Sequence, residues 1–244
     1  MIQLIKGECI EQMKLIPSGS IDAIITDPPY GTTACKWDSV IPFDLMWEQL
    51  NRVIKPNGAI VLFGSEPFSS ALRMSNIKNY RYDWIWHKNK TTGVFTAKKQ
   101  PLRNHEIISV FYKKQCTYNF QKEDRSINSH TKKQQTHINK KSIYGNSKVI
   151  SKAIEKGDKS YPKTVKFFKS VHTVGKNKSV HPTQKPVALM EYLIKTYTNE
   201  NETVLDFTMG SGSTGVAAKN LNRDFIGIEL DDKYFEIAEN RIND

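Results

Sequence analysis

Asp206-Phe207-Thr208-Met209-Gly210-Ser211-Gly212-Ser213-Thr214-Gly215 is the stretch around which the rest of the chain arranges itself. The residues before it, Glu202-Thr203-Val204-Leu205, form a short β-branched run that reads as a buried strand. Those after it, Val216-Ala217-Ala218-Lys219-Asn220-Leu221, read as a helix start. Strand, glycine turn and helix together make a cradle for a nucleotide-like ligand. Glycines permit positive φ and close approach to the backbone, and a helix N-terminus offers free N–H groups. Asp206 ends the strand, which puts its carboxylate at the lip of the crevice. A second strand, Asp224-Phe225-Ile226-Gly227-Ile228-Glu229, ends in an acid placed for the two hydroxyls of a ribose.

Gly210, Gly212 and Gly215 fit the spacing G-x-G-x-x-G, and Glu229 follows about 20 residues on, as in dinucleotide folds. The position argues against a nicotinamide dinucleotide. After Glu229 only one helix, Asp232 to Arg241, remains, so no further βαβ half can follow. The other strands of the sheet have to come from the beginning of the chain, in permuted order.

That beginning supplies them. Ile2 to Ile5 is a short strand, and Ile10 to Ile16 a loosely amphipathic helix stopped by Pro17 and Gly19. Ile21-Asp22-Ala23-Ile24-Ile25-Thr26 is a buried strand running into Asp27-Pro28-Pro29-Tyr30-Gly31. Phe43 to Lys55 reads as a helix, Pro56-Asn57-Gly58 as a turn and Ala59 to Gly64 as a strand. A helix over Glu66 to Asn76 leads to strands at Arg81 to Trp86 and Glu106 to Tyr112. Pro186 opens a helix over Val187 to Tyr197, and the last two βα units follow. Strands alternating with helices predict an α/β fold, a Rossmann-like doubly wound and mostly parallel sheet.

The 244 residues suit one α/β domain with an insertion. Apolar runs fall short of the ~18 residues a membrane span needs, and the N-terminus carries no signal-peptide pattern. Cys9, Cys35 and Cys116 make neither a disulfide framework nor a metal pattern, which fits a reducing cytoplasm and no bound metal. Lys113 to Val180 holds 16 lysines and one arginine against four acidic residues, so the charge of +11 resides there and the remainder is slightly acidic. Such a block is the footprint of a polyanion binder, and equally of a solvated insertion. It lacks hydrophobic period, which predicts little regular structure.

Asp27-Pro28-Pro29-Tyr30 sits at the carboxyl edge of the predicted sheet, where parallel sheets bind ligands. Two prolines stiffen the loop and remove two donors, leaving carbonyls free to accept. Asp27 adds an acceptor and Tyr30 a flat π face. A planar group with an exocyclic amine finds two acceptors and a stacking platform there, as a nucleobase amine needs in order to act as a nucleophile. An ordinary Pro-Pro turn ending in a half-buried tyrosine satisfies the same residues. His105-Glu106 reads as an isolated polar pair with a structural role, and Trp37 as core beside the tetrapeptide.

The chain resembles the amino-group DNA methyltransferases that use S-adenosylmethionine, in their permuted β group. Asp27-Pro28-Pro29-Tyr30 matches the family's catalytic motif and Asp206 to Gly212 its cofactor loop. His181-Pro182-Thr183-Gln184-Lys185-Pro186 matches the segment ahead of that loop. Gly7-Glu8-Cys9, with glutamate where the family has aspartate, and Phe63-Gly64-Ser65 are weaker matches. The resemblance covers roughly Gly7 to Tyr112 and His181 to Arg241. It implies a circularly permuted class I methyltransferase domain over 1–112 and 181–244. Residues 113–180 then form a basic target-recognition insertion.

The resemblance also implies roles. Asp27, Pro28, Pro29 and Tyr30 are catalytic, with Tyr30 stacking on a flipped base. Glu8 and Cys9 meet the cofactor adenine, and Glu229 its ribose. Thr183 and Lys185, with Ser213 or Thr214, take its carboxylate, and Asp206, Phe207, Gly210 and Gly212 complete the cradle. Lys132, Lys133, Lys140, Lys141, Lys163, Lys166 and Lys169 are candidate phosphate contacts. Double-stranded DNA is the implied partner, with base flipping to reach Asp27. A homodimer and a cognate restriction endonuclease are further expectations by resemblance, although no stretch carries an interface signal. Aspartate at the head of the tetrapeptide, where serine is commoner for cytosine N4, favours adenine N6. Cytosine N4 is the runner-up, followed by an RNA- or glutamine-modifying relative and an inactive DNA-binding relative.

Overall fold

The computed structural model describes residues 1–32, 38–124, 159–171 and 183–244, with the backbone alone at 136–137 and 149–150. Trp37, Cys35, His181, Pro182 and the lysines Lys132, Lys133, Lys140 and Lys141 lie outside the described residues. The chain opens with strand β1 (Ile2–Lys6), helix α1 (Cys9–Met13), strand β2 (Ile21–Thr26), helix α2 (Phe43–Val53) and strand β3 (Ile54–Gly64). Helix α3 (Phe68–Ser75) precedes strands β4 (Tyr80–Thr92) and β5 (Arg103–Phe111). Short strands β6 (Glu123–Asp124), β7 (Thr136–His137), β8 (Val149–Ile150), β9 (Lys159–Ser160) and β10 (Val165–Phe167) come next. The chain ends with α4 (Val187–Tyr197), β11 (Thr203–Asp206), α5 (Ser213–Asn220), β12 (Asp224–Glu229) and α6 (Asp232–Asn243).

Eight of these strands form one sheet in the order β1-β12-β11-β2-β3-β5-β4-β10. Every neighbouring pair is parallel except the two made by β5, so β5 alone runs against the rest. The doubly wound, mostly parallel expectation holds. Alternation along the strands divides the core between two faces. Ala59, Val61 and Phe63 of β3 pack with Leu189, Leu193 and Ala217 of α4 and α5. Ile60 and Leu62 pack with Met13, Met46, Leu50 and Leu72 of α1, α2 and α3.

The described residues divide into two compact units, Met1–Asn119 with Thr164–Asp244, and Phe120–Lys163. The second is built on the antiparallel pair β6 and β9, where Phe120 and Tyr161 meet at 5.1 Å, and on the pair β7 and β8. Its bounds lie inside the 113–180 expected from charge. Asn119 stays with the sheet body because its backbone N–H donates to the Thr196 carbonyl at 2.8 Å. At the other end Val165–Phe167 adds an edge strand, registering Val165 with Ile85 and Phe167 with His87. Lys166 is the instructive residue. It is buried with its ammonium 5.5 Å from the Trp84 ring centre and 5.2 Å from that of Tyr192, so it does not join the exposed lysines. Charge count alone hid a strand whose lysine packs on aromatic rings.

Of the other boundaries that moved, two are instructive. β3 begins at Ile54 rather than Ala59, because Ile21 pairs Ile54 and Ala23 pairs Ala59, and an irregularity absorbs Pro56-Asn57-Gly58. Helix α5 begins at Ser213, directly after Gly212 at φ +76°. Gly212 does not line the ligand cavity described below. A Cβ there would meet Ala238 Cβ at 3.0 Å and Ile242 Cδ1 at 2.9 Å, so its missing side chain makes room for α6. Gly215 serves the same contact from inside α5.

β2 and β11 come from opposite ends of the chain and pair through Ala23–Val204 and Ile24–Leu205. At their carboxyl ends Asp206 is buried, not at the lip of a crevice. Its carboxylate accepts from the Thr26 hydroxyl of β2, from Thr214 Oγ1 of α5 at 2.5 Å and from Thr208 N at 3.2 Å. Burial pushes its pKa up to about 6, against the opposing effect of these donors.

Gly215→Ala should lower stability by about 1–3 kcal/mol, because the new Cβ would lie 2.7 Å from Phe225 Cε1 in a packed core. Thermal melting checks this, and an unchanged Tm would show that α5 and α6 can part at no cost. A group with a raised folded pKa gives stability that is present below its unfolded value, here 3.8, and is lost as pH rises through about 6. Relative to Asp206→Asn, the wild type should therefore lose about 2 kcal/mol between pH 4 and pH 6. A difference that stays flat across that window would show Asp206 to be ionised throughout.

Candidate active site and nucleotide cavity

The carboxyl ends of β2, β11 and β12 border a cavity of about 480 Å³. All the residues expected to be catalytic or to hold the cofactor line it, except Gly212. The glycine loop is fixed on the β12 side. Met209 N donates to the Ile228 carbonyl at 2.9 Å, and Gly210, at φ +52°, donates its N–H to Glu229 Oε2 at 2.8 Å. Glu229 Oε1 accepts from Asp231 N at 2.8 Å. Burial raises the Glu229 pKa despite these donors. Each oxygen keeps a second lone pair for a ligand hydroxyl.

Two cavity residues are already engaged by their own neighbours. Glu8 caps α1, with Oε2 accepting from Glu11 N at 2.9 Å. Its Oε1 accepts from Cys9 Sγ at 3.3 Å. Burial pushes the Cys9 thiol up to about 12, so it is no thiolate nucleophile. Ser213 shows the opposite condition. Its Oγ is buried at the first turn of α5, lines the cavity, and has no hydrogen-bond partner among the described residues. A buried hydroxyl beside free helix N–H groups suits an anionic ligand group, because it costs about 1–3 kcal/mol when left unpaired.

The tetrapeptide after β2 is held from below by a residue whose role sequence reasoning missed. Asp38 is buried and accepts from the backbone N–H groups of Tyr30, Gly31 and Thr32 at 2.8, 2.9 and 2.9 Å. With two prolines ahead, these bonds fix the loop at both ends. The Tyr30 ring stacks on Phe68, centroids 5.0 Å apart, and its hydroxyl donates to Asp27 Oδ1. Thr208 Oγ1 donates to the Asp27 carbonyl at 3.2 Å, tying this loop to the glycine loop.

Asp27 has a second, cationic partner. Lys185, expected on a ligand carboxylate, is buried and donates its ammonium to Asp27 Oδ2. The same ammonium lies 3.5 Å from Glu106 Oε2, and Lys88 Nζ donates to Glu106 Oε1 at 2.9 Å. Asp27, Lys185, Glu106 and Lys88 thus form a row of alternating charge in which no side chain is more than 21% exposed. The isolated polar pair expected at His105-Glu106 in fact places Glu106 one ammonium away from Asp27. Cross-strand register was the missing signal, since Glu106 lies opposite Trp86 and on the face from which Lys88 also projects.

The three inner groups do not titrate alike. Burial opposes ionisation of Glu106, but Lys185 and Lys88 outweigh it and lower its pKa. Burial also disfavours the Lys185 cation, yet Asp27 and Glu106 outweigh it and raise its pKa. Asp27 goes the other way. Burial raises its pKa and Glu106 adds to the rise, against the pull of Lys185. Of the two carboxylates, the one that lines the cavity, Asp27, is therefore the one with the strengthened affinity for a proton.

The sequence and the fold both have counterparts among known proteins. The sequence profile of the N6/N4 DNA methylase family matches residues 21–240. Type II methyltransferase M.HpaI of Haemophilus parainfluenzae is 31% identical over 99% of this chain and 74% of its own length. Type II methyltransferase M.HinfI of Haemophilus influenzae is 28% identical over 99% of this chain and 68% of its own. The crystal structure of the M1.HpyAVI–SAM complex superposes with a TM-score of 0.68 at 30% identity, covering both chains fully. The cytosine-N4-specific PvuII DNA methyltransferase, at 16% identity and a TM-score of 0.69, covers all of this chain and 86% of its own, and shares the fold. With the family profile matching residues 21–240 and a relative 31% identical over 99% of the chain, the chain belongs to the DNA methylase family.

Proposed function

We propose that this methylase transfers the methyl group of S-adenosylmethionine directly to N6 of an adenine flipped out of double-stranded DNA. The observation that carries the reading is Asp27, a carboxylate of strengthened proton affinity on a rigid Pro-Pro loop, facing the same cavity as Glu229 and Ser213. When bound, S-adenosylmethionine supplies an electrophilic methyl group on a sulfonium. Glu229 takes the ribose hydroxyls, Glu8 the adenine edge, and Ser213 with the start of α5 and Thr183 the carboxylate. Lys185 is committed to Asp27 and serves the reaction from there.

The protein's part is positioning. Asp27 and the carbonyls beside the two prolines accept from the exocyclic amine and aim its lone pair into the cavity. Tyr30, fixed on Phe68, borders the base. Among cytosine-N4 members serine is commoner at the position of Asp27, which supports adenine. No helix among the described residues is long and apolar enough to cross a membrane.

DNA contact has two supports. The connection from β4 to β5 leaves the sheet at its carboxyl edge and exposes Val94, Phe95 and Leu102 among Lys90, Lys98 and Lys99. An apolar tip among cations suits insertion between base pairs. Lys163 and Lys169 are exposed, and with the lysines outside the described residues they supply phosphate contacts. Action in the cytoplasm, beside a cognate restriction endonuclease and as a homodimer, completes the reading by resemblance to the Type II relatives.

DNA from cells expressing the chain should contain N6-methyladenine by nucleoside mass spectrometry, and none when Asp27→Ala is expressed. Cofactor affinity should change less than about tenfold in that variant. N4-methylcytosine in its place would move the assignment to the other base, and methylation by Asp27→Ala would remove Asp27 from the reaction. Neutralising Lys132, Lys133, Lys140, Lys141, Lys163 and Lys169 to glutamine should flatten the salt dependence of DNA binding. Each lysine that pairs with a phosphate adds about 0.9 to the logarithmic slope, and its neutralisation removes that increment. An unchanged slope would make the basic block a passive insertion.

A further inference from the structure

Methylation of an exocyclic amine leaves an excess proton. The nitrogen lone pair forms the N–C bond, the sulfur–methyl bond breaks with its electrons retained on sulfur, and the nitrogen becomes cationic. It returns to neutrality by giving one N–H proton to a base. Asp27 is the carboxylate in place to take it. A carboxylate with a buried ammonium on one oxygen and a tyrosine hydroxyl on the other ought, however, to be a poor base.

Glu106 resolves this. The Lys185 ammonium lies between two carboxylates, with Asp27 on one side and Glu106 Oε2 at 3.5 Å on the other. Its positive charge is therefore shared, and the net charge of the three groups is −1 rather than zero. The charged or titratable groups around Glu106 are Lys88 from β4, Lys185 ahead of α4, and Asp27 and Tyr30 after β2. His105 and His87 pair one register position further on and so project to the opposite face. Burial keeps water from screening these charges, so each change of one unit is felt by its neighbours.

We propose that Glu106 is a positioning residue for methyl transfer. Its carboxylate takes up the charge of Lys185, so that Asp27 keeps the proton affinity needed to relieve the methylated amine. Lys185 holds Glu106 ionised, and Lys88 is the outer counter-ion that offsets part of its charge. The inference rests on Asp27 serving the transfer, and neither the family motifs nor the cavity lining includes Glu106 or Lys88.

The decisive measurement is made on the free protein. Carboxyl carbon NMR of aspartate-labelled protein follows the titration of Asp27, whose signal is the one missing from Asp27→Asn. Glu106→Gln preserves shape and removes the charge, so the Asp27 midpoint should fall. Glu106→Asp keeps the charge and should hold the midpoint near that of the wild type. Lys88→Met removes a cation and should move the midpoint upward. In turnover, Glu106→Gln should lower kcat by about tenfold and shift the acid limb of the kcat profile to lower pH, with cofactor KM little changed. An Asp27 midpoint that moves in neither Glu106→Gln nor Lys88→Met overturns the proposal and leaves Glu106 a packing residue. If Glu106→Gln does not fold, Lys88→Met alone decides by the same criterion. Absence of DNA methylation by the wild type would instead refute the proposed reaction and leave these midpoints as they are.

Discussion

Strands β2 and β11 come from opposite ends of the chain, and the site depends on their lying side by side. Only that pairing brings the loop after Thr26 next to the loop after Asp206. It is secured at the carboxyl edge by one buried carboxylate, since Asp206 gathers hydroxyls from β2 and α5 and a backbone N–H from its own loop. Three donors offset the cost of burying the acid, and the directionality of those bonds fixes where both loops begin. Asp206 is thus less a ligand group than the joint between a chemical half and a binding half.

On either side of that joint, rigidity comes from backbone donors captured by acids. Asp38 takes three N–H groups under the Pro-Pro loop, and Glu229 takes one from the glycine loop and one from Asp231 beside it. Both loops are therefore set before any ligand arrives, which lowers the ordering cost of binding. The glycines divide the work in a way their spacing conceals. Gly210 turns the loop toward the cavity, whereas Gly212 and Gly215 let α5 lie close against α6 and β12.

What the sequence showed and what it hid follow from the range of the interactions involved. Strand and helix positions were legible because periodicity is local, and β2, α4 and β12 fall where their apolar patterns put them. The placement of Asp27, Glu229 and Ser213 around one cavity was legible because each ends or follows a strand and must emerge at one edge of a parallel sheet. β10 was not, since three residues inside a lysine-rich block carry no period, and only pairing with β4 makes a strand of them. Asp38, Lys88 and Glu106 escaped for the same reason. Their roles are set by partners on other strands and loops, and nothing within a short window marks them.

The row from Asp27 to Lys88 also explains why a lysine beside Asp27 need not quench its proton affinity. A lone ammonium would lower the basicity of Asp27, while no ammonium would leave two buried carboxylates facing each other. With Lys185 between them and Lys88 closing the row, each buried ion has an opposite neighbour, as a low-dielectric site demands. The arrangement then has one variable position. Lys185 and Glu106 are both held in their charged forms, so a proton arriving from the cavity finds Asp27 as the group able to change state.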